Sequence, residues 1–144
     1  MSELDGTANA SSCWGYTAPS GREYAIIGTE GGTSFVEITS PTNPQVIGYI
    51  NGPDSLWRDV KVYQNHAYLV SEGGNGIQVV SMANIDNGTV TLVNTITTGG
   101  STATHTVALD ATSGFLYRAG GSGLGLRAYN LSNPGTPVFA GSWS

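Results

Sequence analysis

Charged side chains are scarce in this sequence, and lysine is the scarcest of them. Charged residues make up 10% of the chain, Lys61 is the sole lysine, and the formal net charge is −5. Ordinary soluble domains carry a charge on about a quarter of their residues. Because no run of Lys or Arg forms a basic surface, we expect no nucleic-acid partner and no attraction to an anionic membrane. A carbohydrate, a peptide or a small ligand stays compatible with this composition.

Long apolar segments and targeting signals are also missing. No stretch approaches the roughly 20 apolar residues that span a membrane. Residues 1–6 have neither the basic region nor the apolar region of a secretory signal. We therefore expect no membrane insertion and no signal peptide in this chain.

Sequence patterns of catalytic and metal sites are absent too. The chain has one cysteine, Cys13, two histidines, and no Gly-x-Ser-x-Gly motif. A single cysteine excludes an intrachain disulfide, and no spacing of acidic, His or Cys residues suits zinc or calcium. The glycine-rich residues 120–125 are predicted to join two antiparallel strands, because a phosphate cradle would need a helix after them. We expect no catalytic nucleophile, no metal and no cofactor.

Strand signals recur along the chain, whereas helical periodicity does not. Residues 57–72 predict two short strands around a polar turn at residues 64–66, since Val60 and Val62 alternate and residues 67–71 are apolar. The 21 glycines, with Pro, Asn and Ser, cluster between such segments and favour tight turns. The sequence therefore predicts an all-β fold.

The strand pair of residues 57–72 is one of three repeats. Its first strand matches the others at a spacing of 47 residues, at Cys13, Val60 and Val107. Its second strand carries a shared aromatic, at Tyr24, Tyr68 and Tyr117. The last loops of units one and three also match, with Pro41 and Pro44 recurring as Pro134 and Pro137. This matching predicts a buried core thiol at Cys13 and a largely buried ring at Tyr68.

A period in the mid-forties with four strands per period is typical of a β-propeller. We predict an N-terminal tail at residues 1–11 and three four-stranded antiparallel blades at residues 12–52, 53–99 and 100–144. A β-sandwich also has many short strands but does not require this self-similarity. The predicted strands lie near residues 12–17, 23–28, 33–39, 45–50, 58–63, 67–71, 76–81, 90–97, 104–110, 115–120, 125–131 and 137–143.

Three stretches resemble the choice-of-anchor B family, which is related to LVIVD-repeat proteins. They are residues 13–28, residues 32–44, and residues 57–63 together with Val70-Ser-Glu72. The resemblance covers about residues 12–143 and implies a β-propeller on secreted or surface-displayed microbial proteins. It implies an extracellular or cell-surface location and no particular catalytic residues. Members of that family are much longer, whereas this chain has three repeats and no anchor.

Three blades cannot close a ring, since propellers usually have four to eight. Apolar blade faces left in water mark an interaction surface. We therefore expect a homodimer in which two chains close one six-bladed propeller, with a nine-bladed homotrimer as the runner-up.

The start of each first strand supplies the candidate site. Arg58 and His105 occupy one matched position, and Asp59 follows Arg58 at the next. These three side chains could line a ligand site at the mouth of a central channel. A polar rim whose groups hydrogen-bond locally is the alternative and is expected in any water-filled propeller.

Trp14, Trp57 and Trp143 could stack on sugars, although packing of Trp14 and Trp57 between blades is the simpler expectation. His66 is expected to be exposed in its turn.

These observations are compatible with three hypotheses about what the chain is and does. The first is a non-enzymatic propeller module for binding or for surface and structural assembly. The second is a hydrolase or lyase carried by Arg58, Asp59 and His105, which a carboxylate within hydrogen-bond reach of His105 would favour. The third is a truncated or engineered propeller fragment, which the lack of a signal and an anchor would explain.

Overall fold

The computed structural model describes residues 9–121 and 125–144, and these residues form twelve β-strands and one short 3-10 helix, Ile85–Asn87. The first four strands are β1 Ala10–Thr17, β2 Glu23–Thr29, β3 Gly32–Glu37 and β4 Gln45–Asn51. The next four are β5 Arg58–Tyr63, β6 His66–Ser71, β7 Ile77–Ser81 and β8 Thr91–Ile96. The last four are β9 Thr106–Asp110, β10 Phe115–Ala119, β11 Leu126–Asn130 and β12 Val138–Trp143.

Each group of four strands forms one antiparallel sheet in which every strand pairs with its neighbours in the chain. We call these sheets blade 1 (β1–β4), blade 2 (β5–β8) and blade 3 (β9–β12). The first strands lie side by side, because β5 contacts both β1 and β9. The predicted all-β class and the three four-stranded antiparallel blades are therefore confirmed.

The first strand of blade 1 differs from its prediction at its beginning. It starts at Ala10, two residues before the predicted strand, and contains a bulge at Ser12, whose φ is 31°. The extra residue lets Ser11 pair with Gly28 and Cys13 pair with Ile27. The glycine-rich connection predicted at residues 120–125 includes residues 122–124, which lie outside the described part of the chain.

The hydrophobic core lies between the blades. One cluster joins blades 1 and 2, with Tyr24, Ile26 and Phe35 packed against Val60 and Leu69. A second cluster joins blades 2 and 3, with Tyr68, Val70, Ile77 and Val79 against Val107, Leu116, Tyr129 and Leu131. The predicted burial of Tyr68 is confirmed, since its side chain is fully buried. Blade 2 thus gives one apolar face to each neighbour, as period-2 alternation in its strands requires.

A glycine precedes or begins the third strand of every blade, where the end of the fourth strand passes very close. A Cβ added at Gly32, Gly76 or Gly125 would lie 2.3, 2.1 or 2.2 Å from the carbonyl oxygen of Ile50, Ile96 or Trp143. No side chain fits at such a distance. Gly76 also has a φ of 65°, which disfavours any residue with a Cβ.

The substitution Gly76→Ala tests this close approach. We expect it to lower the free energy of unfolding by more than about 2 kcal/mol, because the methyl group must displace the backbone of Ile96. The matched control is Gly141→Ala in β12, where an added Cβ meets no atom within 4 Å. The control should change the free energy by less than about 0.5 kcal/mol in the same denaturant titration. Equal effects of the two substitutions would contradict the packing described here.

Candidate functional site

The start of the three first strands brings one carboxylate between two hydroxyl groups. Ser12, Asp59 and Thr106 come from blades 1, 2 and 3, and successive members are 47 residues apart. The Ser12 hydroxyl donates to Asp59 Oδ1 at 2.9 Å, and the Thr106 hydroxyl donates to Asp59 Oδ2 at 2.8 Å. Asp59 therefore connects all three blades at their first strands.

Three further donors complete the surroundings of Asp59. The backbone N–H of Val60 and Lys61 Nζ bond to Oδ1 at 2.8 and 3.0 Å, and the N–H of Val107 bonds to Oδ2 at 3.0 Å. Burial by itself raises the pKa of this carboxyl group, but the hydrogen bonds from Val107, Lys61, Thr106 and Ser12 lower it below its usual 3.8. Asp59 is consequently a structural anion with both oxygens engaged.

Arg58 is also engaged in holding the blades together. Its guanidinium Nε donates to the carbonyl of Thr29 at 2.5 Å, and its Nη2 donates to the carbonyls of Glu30, at 2.8 Å, and Pro53. The side chain is buried, and this burial lowers the pKa of Arg58. Its contacts are with the backbone of blade 1 and the linker to blade 2. Arg58 therefore fits the expectation of a locally bonded rim residue.

His105 has a different environment from the other two. Its Nδ1 lies 2.5 Å from Glu72 Oε1, and both side chains are open to solvent. The ring centroid of Trp57 lies 6.1 Å from that of His105. Glu72 follows β6, and sequence reasoning did not select it because its loop is a plain glycine-rich turn. The pair meets the criterion that favours an enzyme, a carboxylate within reach of His105.

A cavity of about 500 Å³ opens beside these residues. Its walls include Leu56, Trp57, Asp59, His105 and Ser12. Leu56 and Trp57 lie in the linker just before β5 and are more than half exposed. The Ser55 hydroxyl bonds to both the N–H and the carbonyl of Trp57 and so fixes its backbone. This arrangement offers an apolar wall beside a His–carboxylate pair.

Two side chains lie where the sequence did not predict them. Cys13, predicted as a buried core thiol, is exposed. That prediction is wrong for this chain because no blade covers the face of blade 1 to which Cys13 belongs. His66, expected to be exposed in a turn, is the first residue of β6 and is half-buried. Its burial lowers the pKa of the imidazole.

All three tryptophans have solvent-exposed rings. Trp14, Trp57 and Trp143 are 41%, 57% and 75% exposed. Lys61 Nζ lies 4.6 Å from the centroid of the Trp14 ring, which makes a cation–π contact between blades 1 and 2. The expectation that Trp57 packs between blades is wrong, because its side chain lies on the cavity wall.

Blades 1 and 3 each have a face without a neighbour. The open face of blade 1 includes Cys13, Ala25 and Ile27, which are exposed or half-buried, and also Ser34 and Val36, which pair with Ile27 and Ala25 and are buried. The open face of blade 3 comprises Ala108, Phe115, Tyr117, Ala119 and Ala128, which are also exposed or half-buried. The matched residues of the covered faces are buried: Val60 and Val107 are 2% and 1% exposed, and Tyr68 is fully buried.

No family model matches the chain, and no curated protein matches it either. Among residues 9–121 and 125–144, no helix is long and apolar enough to cross a membrane. The same residues contain no group of three or more His, Cys, Asp or Glu side chains that could hold a metal ion.

Replacement of Asp59 by Asn tests its structural role. Asn loses the charge and turns an NH₂ group toward donors, so we expect the free energy of unfolding at pH 7 to fall by about 2–3 kcal/mol. Because the folded pKa of Asp59 is lowered, its contribution is present above pH 3.8 and is lost as the pH falls through the folded value.

Unfolding measured from pH 7 to pH 2 checks both parts of this prediction. The acid loss of stability should be smaller in Asp59→Asn than in the unsubstituted chain. The exposed Asp54→Asn provides the control and should leave the curve close to that of the unsubstituted chain. If Asp59→Asn lost as much stability between pH 7 and pH 2 as the unsubstituted chain, the role assigned to Asp59 would be contradicted.

Proposed function

We propose that this chain is a non-enzymatic β-propeller module that closes a ring with a second copy of itself. The observation that carries the proposal is the contrast at one repeated position. Val60 and Val107 are buried against the preceding blade, whereas Cys13, at the same position in blade 1, is exposed. A preceding blade against blade 1 would remove this difference.

The second copy is the occupant that fits both open faces at once. Blade 3 of one chain presents the face that normally receives a following blade, and blade 1 of the other presents the face that receives a preceding one. A two-fold rotation repeats this contact. Two such interfaces between adjacent blades, which we call seams, therefore close a ring of six blades. Together these seams should bury at least the roughly 1,600 Å² of a standard interface. Six blades lie within the usual range of propellers.

The proposal also includes where the protein acts and which kinds of molecule the ring binds. The low charge of the chain and its resemblance to the choice-of-anchor B family favour an extracellular or cell-surface role. The cavity beside Trp57 and His105 is the surface on which the ring would bind a carbohydrate, a peptide or a small molecule. In a closed ring this cavity would occur twice, once for each chain.

Light scattering at micromolar concentration tests the ring. We expect a mass of two chains of 14.9 kDa each. Ile27→Asp places a charge on the open face of blade 1 and should yield monomers, because an unpaired buried charge opposes association. Leu92→Asp is the matched control: Leu92 is 42% exposed on β8 of blade 2, away from both open faces.

Two other outcomes would change the proposal. A mass of three chains would replace the dimer by a nine-bladed trimer with the same contact between blades. A monomer that keeps its β-structure at micromolar concentration would contradict ring closure. Equal loss of association in Ile27→Asp and Leu92→Asp would show that the open face of blade 1 is not the contact surface.

A hydrolase or lyase is the second candidate, and the contact between His105 and Glu72 favours it. Glu72 can hold the imidazole so that Nε2 points away from the pair and accepts a proton from a substrate. If the chain turns over a substrate, His105→Gln and Glu72→Gln should each reduce kcat by about 100-fold or more. Turnover that is unchanged in both variants would remove this candidate.

A further inference from the structure

The two covered seams within the chain share a polar contact. In the seam between blades 1 and 2, the Tyr24 hydroxyl bonds to Asp86 Oδ1 at 2.7 Å. In the seam between blades 2 and 3, the Tyr68 hydroxyl donates to the carbonyl of Pro134 at 2.9 Å. In both, a tyrosine on the second strand of one blade reaches the loop between the third and fourth strands of the next.

Tyr117 is the corresponding residue of blade 3, but its partner blade is missing. It pairs with Ala108 in the sheet, as Tyr68 pairs with Lys61, and these two partners hold matched positions of β9 and β5. Tyr68 is fully buried, whereas Tyr117 is half-buried and stacks on Phe115 with ring centroids 6.4 Å apart. Its hydroxyl lies on the open face of blade 3.

The matching acceptor is present on blade 1. Its loop between β3 and β4 contains Pro41, which corresponds to Pro134 in blade 3. Both loops form the same turn, since the N–H of Asn43 bonds to the carbonyl of Ser40 at 2.9 Å and the N–H of Thr136 bonds to that of Asn133 at 3.0 Å. The residues around Pro41 are exposed. The chain therefore carries an open donor face at one end and an open acceptor loop at the other.

We propose that the hydroxyl of Tyr117 donates a hydrogen bond to the carbonyl of Pro41 in a second copy of this chain. Across the seam, this contact would reproduce the hydrogen bond that Tyr68 makes to the carbonyl of Pro134 within the chain. This inference rests on the proposed ring and specifies the orientation in which the copies meet. The same orientation covers Cys13 in the way that Val60 and Val107 are covered.

A pair of Tyr-to-Phe substitutions separates the seam contact from the contact inside the chain. Tyr117→Phe should raise the dissociation constant of the dimer about five-fold for each seam, and therefore about 25-fold for a ring of two seams. It should leave the unfolding midpoint of the separated chain unchanged. Tyr68→Phe, the matched control, should lower that midpoint and leave the dissociation constant within about two-fold of the starting value.

Sedimentation equilibrium provides the dissociation constants, and the single cysteine provides an independent report on the seam. A chromogenic disulfide reagent should react slowly with Cys13 in the dimer and rapidly after dilution to monomers. At equal concentration, Tyr117→Phe should react faster than the unsubstituted chain, in proportion to its larger monomer fraction. Tyr68→Phe should react as slowly as the unsubstituted dimer.

The outcomes distinguish this inference from the proposed function. A dimer with protected Cys13 whose dissociation constant is unchanged by Tyr117→Phe would overturn the hydrogen bond and leave the ring standing. A dimer whose Cys13 reacts at the rate of the monomer uses another surface, and it would overturn both. A chain that stays monomeric at all concentrations would overturn the ring and the bond with it.

Discussion

The structure depends on the fact that a blade of this chain has two faces that must both be covered. Alternation along each strand places large side chains on both sides of the sheet, so a single blade cannot bury its own core. Blade 2 meets this requirement within the chain: Leu69 faces blade 1 and Val70 faces blade 3, and both are buried. Blades 1 and 3 meet it on one side only, and the exposure of Cys13 and Tyr117 is the direct result. The same constraint that organises the fold therefore leaves open the two faces that the proposed ring would cover.

Buried polar side chains fix the linkers between the blades. Arg58 donates to the carbonyl of Pro53 in the first linker and to two carbonyls of blade 1, and Gln78 Nε2 donates to the carbonyl of Asn51, at the end of β4, at 2.8 Å. At the second linker, Arg118 Nη2 donates to the carbonyl of Ser101 at 2.8 Å, and Arg127 lies beside it in the sheet. Burial, followed by the nearby charge of Arg118, lowers the pKa of Arg127. Carbonyl oxygens accept hydrogen bonds from each of these side chains, although Arg127 Nε is buried without a hydrogen-bond partner in the described part of the chain.

The sequence predicted the strands well because strand pattern and turn residues are local signals that repeat. Tyr68 was correctly expected in the core, since its position recurs and lies in the middle blade. The same reasoning failed for Cys13, because a repeat identifies a position and does not tell whether a neighbour covers it. The bulge at Ser12, the contact of Glu72 with His105 and the burial of Arg118 and Arg127 were also missed. The contact of Glu72 with His105 joins two blades, whereas the bulge and the buried arginines depend on strand pairing inside one blade, and no local pattern encodes either kind of contact.

The identities at the first-strand positions limit the charge that the proposed ring would gather around its axis. Going around the proposed ring, the sequence is Ser12, Asp59 and Thr106, followed by the same three residues of the second copy. Within a chain, Asp59 accepts from both neighbouring hydroxyls, and at each seam Thr106 would meet Ser12 of the other copy. Each of these hydroxyls already donates its single hydrogen to Asp59 of its own chain, so a hydrogen bond between them at the seam would require one of them to give up that contact. An acid in every blade would instead place like charges around one axis and raise their pKa values. One carboxylate for every three blades connects the first strands within a chain, and in the proposed ring it would keep the charge at the centre low.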